Sequence, residues 1–447
     1  MKNEVITCSG AMHVLAFMGD LSMGQPVDHS PKVAWIARRI AEGLKLDLEQ
    51  CQDVAYLALL RWIGCTANAG EVANVMTDDV RGRGELLALR PQSIQLLVAP
   101  NQIWQRTNEI SAIHCEVALM IANILGMRPA VLDALGCLFE TWDGNGHPNG
   151  LKGDQIPLLA LVVILAGDIE ILTREYGVGE TKRFLDSRAG AIYPKHLVDF
   201  ASQYLLEWID ALGQPERLVF HTDLSADSRP INLSLLADTI DLKLPWLTGH
   251  SRTVSSLAGK VAAGLNLDRT TQEQVRRAAL IHGLGRVSVP NAMWNRPGPL
   301  SRADWERVRL SPYWTARAAI QIRSLEREAE IASYAYERLD GSGYFRSARH
   351  AATPVECRIL PAVAAWVALR APRPWRAQFT FEAAADHLRR QALLSRFDQS
   401  IVDLIAGASA SNETVSSDPK SAPSILTPRE LDVLRCVSQG ENNKTAA

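Results

Sequence analysis

The sequence has few of the features that would mark a secreted, membrane-spanning or strongly basic protein. Its seven cysteines are odd in number and include no CxxC pair, which excludes the usual zinc and redox spacings. No uninterrupted apolar run reaches about 18 residues, and the longest, 158–166, is soon followed by Asp168. The net charge of -2 gives no global reason to expect binding to nucleic acid or an anionic membrane. The cysteines are therefore predicted to be buried thiols in a reducing cytoplasm.

The first residues raise the question of a targeting signal. Lys2 and the apolar run 5–19 superficially resemble a signal peptide, but the run contains His13 and no small-x-small cleavage site follows. We predict a first core helix instead. A chain of 447 residues with 47% hydrophobic and 21% charged residues is expected to form two to four domains, at roughly 100–200 residues each, in a cytoplasmic protein.

An internal repeat organises the chain. Residues 29–47 match 250–268 at an offset of 221, with nine of nineteen positions identical. At the same offset, ALLRWIG (58–64) falls on ALIHGLG (279–285). The glycine-rich segment WDGNGHP (142–148) falls on LDGSGYF (339–345) at an offset of 197. Two related domains are predicted.

Both repeats have a helical hydrophobic pattern. Apolar residues between Val254 and Leu265 recur every three or four positions, which places one helix face in a core, and sustained alternation is absent. Each DGxG segment interrupts the helices and is predicted to be a loop, in which Asp340 caps its own turn while Gly341 and Gly343 permit it. The predicted fold is all-α.

The sequence also predicts the domain boundaries. We expect a first domain over 1–212, a linker over 213–230 rich in Gly, Pro, Ser and Asp, and a second domain over 231–405. A second linker is expected over 406–424, where Ser, Ala, Asn and Pro dominate. Residues 425–447 then begin a helix, with Thr427 as N-cap, Pro428 at its first position and Glu430 completing a capping box.

The second repeat resembles the HD-GYP family of cyclic di-GMP phosphodiesterases. ERLDGSGY (337–344) is similar to the family signature HHExxDGxGYP, and IHGLGRVSVP (281–290) is similar to HDxGKxxxP. The resemblance implies an all-helical fold with two metal ions bound by scattered His and Asp side chains. The motif residues that carry it include Glu337, Asp340, Gly341, Gly343 and Tyr344. The first repeat is similar to the same family, through 140–148 and 150–157.

Most metal ligands that the resemblance implies are absent from this sequence. In the second repeat His250 and His282 match family histidines, while Gly283, Ser311, Ala335, Tyr336 and Ala364 occupy ligand positions. In the first repeat His29 and His114 remain. Gly167 occupies the position of the last family aspartate, and Asp168 lies one position beyond it. The other ligand positions there hold Arg61, Trp62, Leu138 and Phe139.

The remaining polar residues leave alternatives open. His250 and His282 either bind one divalent ion weakly or are core histidines with internal hydrogen bonds, since a stable site usually takes three or more ligands. Arg286 stands where the family has a phosphate-binding lysine, so it is a candidate phosphate contact or else a solvated or capping arginine. Tyr336 and Phe345 are expected to pack rather than to stack on a nucleobase.

The C-terminal residues 426–447 (LTPRELDVLRCVSQGENNKTAA) resemble the first part of a LuxR-type helix-turn-helix domain. The resemblance implies DNA binding as a dimer. The base-reading helix of that motif is not in this sequence, so DNA is a partner only for a complete motif.

Together these features suggest three functions. The first is a cytoplasmic bacterial regulator with two degenerate HD-GYP domains linked to a LuxR-type output, which acts as a sensing or dimerising scaffold. The alternative is a metal-dependent phosphohydrolase, similar to cyclic di-GMP phosphodiesterases, with an atypical ligand set around His250 and His282 and iron or manganese as cofactor. The third is a module that binds a cyclic dinucleotide without catalysis.

Overall fold

The computed structural model describes residues 4–90, 102–214, 227–349 and 353–413. These residues are mostly helical, and the strands among them are limited to a short pair, Val5–Thr7 with Pro230–Asn232. The predicted all-α class is therefore confirmed. The chain divides into two compact units, one over Thr7–Arg229 and the other formed by residues 4–6 with the described residues from Pro230 onward.

The first unit is built around helix Leu158–Tyr176, whose side chains are buried along most of its length. Helix His29–Gly43 packs against it and against Leu48–Leu60, because its apolar residues at three- and four-residue spacing all face inward. The other helices of this unit are Cys8–Ser22, Ala69–Val75, Asp79–Leu87, Gln102–Ile124, Pro129–Leu135, Val178–Arg188 and Lys195–Leu212, with 3₁₀ turns at Ile63–Thr66 and Gly153–Gln155.

The second unit has a similar helical order. Helix His250–Gly264 packs against Arg269–Ile281 and Val355–Arg370, and its inward face includes the residues predicted from periodicity. The other helices are Ser234–Asp241, Asn291–Trp294, Arg302–Arg309, Ser311–Ala319, Glu326–Ala332, Phe381–Leu393 and Gln399–Glu413, with 3₁₀ turns at Pro245–Leu247, Leu284–Ser288 and Arg323–Leu325.

The N-terminal apolar run forms the predicted core helix. Helix Cys8–Ser22 begins after Thr7, whose hydroxyl accepts a hydrogen bond from the Gly10 N–H at 3.1 Å, and nearly all of its residues are buried. The six cysteines within the described residues are also buried. Burial raises the pKa of the Cys357 thiol to about 12, which makes that group unreactive.

Two of the predicted boundaries differ from the structure. Residues 4–6 belong to the second unit, not to the domain predicted over 1–212, because Val5 and Ile6 lie in the strand that pairs with Pro230–Asn232. The linker predicted over 406–424 starts too early, since helix Gln399–Glu413 continues through the alanines of that segment, and alanine favours a helix. Most of the linker predicted over 213–230, the remainder of the 406–424 segment, Cys436 and the 425–447 segment that resembles LuxR-type domains lie outside the described residues.

Among the described residues, no helix is both long and apolar enough to span a bilayer.

Candidate functional site

Both glycine-rich segments form the predicted loops, and in both the aspartate caps its own turn. Asp340 Oδ1 accepts a hydrogen bond from the Ser342 N–H at 2.9 Å, and Gly341 has a positive φ of 81°. Asp143 accepts from the Asn145 N–H at 3.1 Å, next to Gly144 at φ 87°. The two aspartates therefore stabilise turns, and this prediction for Asp340 is confirmed.

The glutamate that precedes each glycine-rich loop fixes the loop from inside. The buried carboxylate of Glu337 accepts hydrogen bonds from the N–H groups of Arg346 at 2.6 Å and Ala348 at 3.1 Å. Glu140 accepts equivalent bonds from Asn149 at 2.8 Å and Leu151 at 2.9 Å. Gly343 is required here because a side chain would overlap the backbone of Glu337 and Arg338.

A buried aspartate at the end of the first helix holds the start of the second helix in each unit. Asp241 accepts hydrogen bonds from both the N–H and the hydroxyl of Ser251, each at 2.8 Å. Asp20 accepts from the N–H of Ser30 at 2.9 Å and from its hydroxyl at 2.6 Å. Burial raises the pKa of each carboxyl to about 7, although these hydrogen bonds oppose the shift.

His282 and Arg286 form a buried pair at the centre of the second unit. His282 Nδ1 donates to the Ala279 carbonyl oxygen at 2.6 Å, which leaves Nε2 as an acceptor. Arg286 Nη2 donates to that Nε2 at 2.8 Å, and Arg286 Nε lies 3.1 Å from the Tyr336 hydroxyl oxygen. Arg286 is 6% exposed, so the prediction of a solvated arginine is wrong.

His250 lies beside this pair, with its ring centroid 5.7 Å from that of His282. Burial and the charge of Arg286 lower the pKa of both imidazoles, for His282 to about 3. Among the described residues, His250 Nδ1 has no hydrogen-bond partner, unlike the ring nitrogens of His282. The expectation that core histidines make internal hydrogen bonds therefore fits His282 but not His250 Nδ1.

The aromatic side chains near Arg286 pack against one another. Tyr336 stacks on Tyr344 with ring centroids 5.2 Å apart, and Trp305 contacts Tyr344 edge-on at 5.4 Å. Phe345 contacts Tyr313 at 5.8 Å and lies under the Arg346 guanidinium. Packing, as predicted for Tyr336 and Phe345, accounts for these rings.

In the first unit the equivalent centre is filled by Arg61. Its Nη2 contacts His29 Nε2, while His29 Nδ1 donates to the Glu170 carboxylate at 2.5 Å. Burial lowers the pKa of His29 to about 4, so at neutral pH the imidazole is uncharged. The Arg61 guanidinium lies 4.4 Å from the Trp62 ring.

The other polar residues of the first unit are also used internally. His114 Nε2 donates to the Arg61 carbonyl oxygen at 2.9 Å, and its ring contacts Phe139 edge-on at 5.0 Å. Asp168 accepts a hydrogen bond from the buried Tyr193 hydroxyl. These contacts leave the first unit with a closed, packed interior at this position.

The described residues do not fit a divalent metal ion. They contain no group of three or more His, Cys, Asp or Glu side chains able to converge on one. His282 Nε2, the nitrogen that would face a metal, accepts from a guanidinium, and a second cation there would be repelled.

Sequence reasoning missed several residues of this site. Asp20, Asp241 and Glu170 were not singled out, although the Asp-Leu pair nine residues before each His-Ser pair recurs at the same offset of 221. Arg373 was missed as well. Its guanidinium lies 4.5 Å from the Trp246 ring, and burial together with nearby Arg376 and Arg286 lowers its pKa to about 10.

Comparison with known proteins identifies the fold of the second unit. Residues 234–401 match the family model described as HD domain. The chain is 25% identical to the 3'3'-cGAMP-specific phosphodiesterase 3 of Vibrio cholerae over 398 residues, which is 82% of this chain and 86% of that protein. It is 28% identical to the cyclic di-GMP phosphodiesterase response regulator RpfG of Xanthomonas campestris pv. campestris over 207 residues, 46% of this chain and 54% of that protein.

A solved structure has the same fold. The crystal structure of a cyclic GMP-AMP specific phosphodiesterase of Vibrio cholerae aligns with a TM-score of 0.64 at 21% identity, covering 91% of this chain and 98% of that one. The chain is thus similar, over 234–401, to the HD domain family and, over most of its length, to a phosphodiesterase of a cyclic dinucleotide.

Proposed function

We propose that this chain is a cyclic-dinucleotide-binding regulator whose second unit retains the HD-type frame without the metal-dependent hydrolysis. The observation that carries the proposal is the hydrogen bond from Arg286 to His282 Nε2, which occupies the metal-facing nitrogen. The fixed loop around Glu337 and Asp340 supports a retained binding frame.

The electrostatics of the second unit favour an anionic ligand. In the described part of the chain, Arg286 Nη1 and His250 Nδ1 are buried without a hydrogen-bond partner, although Nη1 lies 3.8 Å from Asp241 Oδ1. Arg373 and Arg376 add positive charge close by, and both donate to backbone carbonyl oxygens. Guanidinium groups bind phosphate oxygens through paired donors, so a phosphodiester is the ligand class that this charge fits.

A binding experiment without metal tests the proposal. Calorimetry with 3'3'-cGAMP and with cyclic di-GMP, on full-length protein treated with EDTA, should give saturable binding. The Arg373→Ala variant should weaken it at least tenfold, whereas Arg323→Ala, an exposed arginine elsewhere in the unit, should not. Absence of binding to both nucleotides would refute the proposed ligand class.

A second candidate function is metal-dependent hydrolysis of a cyclic dinucleotide. The similarity to phosphodiesterases over 82% of the chain supports this candidate more than it supports regulation, whereas the buried contacts of Arg286 support regulation. Turnover of 3'3'-cGAMP with added manganese or iron separates the two. Hydrolysis that is lost in His282→Ala would establish the second candidate.

We further propose that the two units are tandem copies of one HD-type domain, as the internal repeat suggests. The output through residues 425–447, DNA binding and dimerisation remain predictions. DNA binding would require a complete helix-turn-helix.

A further inference from the structure

We infer that in each unit a buried arginine has taken over the position and charge of a metal ion, at a point where a family carboxylate has become glycine. The inference concerns the interior of both units and does not depend on which nucleotide, if any, the chain binds.

The second unit shows the pairing between Gly283 and Arg286. Gly283 stands at the position of the family aspartate in the HD pair. A Cβ atom there would lie 2.7 Å from Arg286 Nη1 and 3.1 Å from Cζ, which is closer than side chains pack. The guanidinium thus occupies the volume that an aspartate side chain at 283 would use, and it bonds to His282 Nε2.

The first unit shows the same pairing with different residues. Gly167 stands at the position of the late family aspartate, and a Cβ atom there would overlap Arg61 Nη1. The Arg61 guanidinium contacts His29 Nε2, the nitrogen of a retained family histidine. Arg61 aligns with His282 in the repeat, while Arg286 lies four positions later. The two units therefore reach one arrangement from two different positions.

Charge explains why arginine fills each space. Asp20 and Asp241 are both buried, 0% and 1% exposed, and each unit would hold a costly buried carboxyl without a nearby cation. An apolar side chain could fill the volume but would leave that carboxyl uncompensated. Guanidinium stays protonated when buried and presents five donors in a plane, so it can bond a histidine nitrogen and lie near a carboxylate.

A double-mutant cycle tests the pairing. Gly283→Ala should lower the melting temperature of the full-length protein by several degrees, because the new methyl group meets the guanidinium. On an Arg286→Ala background the same glycine change should cost much less, because the obstructing group is gone. If Gly283→Ala lowers the melting temperature by the same amount in the wild type and on the Arg286→Ala background, the two changes are additive and the inference is overturned.

Further variants guard against a misfolded result. Gly179→Ala, where an added Cβ has nothing within 4 Å, should leave the melting temperature unchanged or higher. If Arg286→Ala does not fold, Arg286→Lys provides a milder background, and Gly167→Ala with Arg61→Lys repeats the cycle in the first unit.

Metal response tests the replacement itself. The melting temperature of the wild-type protein should be the same in EDTA and in manganese, and metal analysis should find no stoichiometric ion. The Gly283→Asp/Arg286→Ala variant restores the carboxylate and removes the guanidinium, so manganese should raise its melting temperature. Stoichiometric metal in the wild type, or the same response to manganese in both proteins, would overturn the inference. These melting temperatures are measured without nucleotide, so the test of the arginine replacement is separate from the test of nucleotide binding.

Discussion

At the scale of single residues, the uncharged state of His282 is a source of acid sensitivity. Burial and the positive charge of Arg286 lower the pKa of His282 to about 3. His250 lies beside the His282 ring, and Asp241 and Tyr336 lie next to the Arg286 guanidinium. In the unfolded chain its pKa is about 6.5, so the unfolded state takes up a proton that the folded state does not. The stability that His282 contributes is therefore lost as the pH falls below about 6.5.

The His282→Asn variant removes this titration while keeping a donor for the Ala279 carbonyl oxygen. Between pH 7 and pH 4.5 the wild type should lose about 2–3 kcal/mol more unfolding free energy than the variant. Urea titrations at both pH values measure the difference. His196→Asn, at an exposed position, should follow the wild type. Parallel pH curves for wild type and His282→Asn would contradict the prediction.

Glu337 should contribute stability rather than catalysis. Replacing it with Gln removes the negative charge of the carboxylate to which two loop N–H groups donate, and should lower the unfolding free energy by about 1–3 kcal/mol. Glu140→Gln should cost a similar amount in the first unit, since its carboxylate also accepts hydrogen bonds from two loop N–H groups, at 2.8 and 2.9 Å. Thermal unfolding is the measurement, with the exposed Glu326→Gln as control. A Glu337→Gln protein as stable as the wild type would show that the loop does not need this carboxylate.

At the scale of helices, the contact between the first and second helix of each unit should matter most. Asp241→Ala removes the acceptor at the start of helix His250–Gly264 and leaves Arg286 without its nearby carboxylate, at an expected cost of about 3 kcal/mol or more. Asp241→Asn keeps an oxygen acceptor and should cost less. Asp268→Ala, which removes an exposed helix cap, should cost only about 1 kcal/mol. Equal losses for Asp241→Ala and Asp268→Ala would contradict this view.

The helices and loops could be predicted from the sequence, whereas the buried arginine at the centre of each unit could not. The apolar spacing between Val254 and Leu265 predicts a helix, and the DGxG segments predict loops. Both patterns reflect local conformational preferences, and the structure has these elements where they were predicted. The inward turn of Arg286 depends on the absence of a side chain at Gly283 and on the burial of Asp241, which lies 45 residues earlier. Charged residues are normally exposed, so sequence reasoning favoured a solvated arginine. The sequence signal for a buried arginine is therefore the combination of Gly283 with Arg286, since neither residue alone indicates it.

At the scale of the whole molecule, the two units are expected to differ in ligand binding. In the first unit the equivalent position is closed by buried Arg61, Trp62 and Leu138, and by contact between His114 and Phe139. Among the described residues, both units keep buried nitrogen atoms without a hydrogen-bond partner, Arg61 Nε and Trp62 Nε1 in the first unit and Arg286 Nη1 and His250 Nδ1 in the second. The second unit additionally places the charges of Arg373 and Arg376 near Arg286, and this is the difference that favours an anionic ligand there. If the proposed function holds, each chain should bind one cyclic dinucleotide rather than two.

Calorimetric stoichiometry measures this asymmetry directly. Titration of the EDTA-treated full-length protein with cyclic di-GMP should saturate at one nucleotide per chain, and Arg373→Ala should weaken that single event. Arg38→Ala, in the first unit and at a partly exposed helix position, should leave both stoichiometry and affinity unchanged. Two equivalent binding events per chain would mean that the packed interior around Arg61 opens to ligand, because the contacts that close it would have to break before a nucleotide could enter.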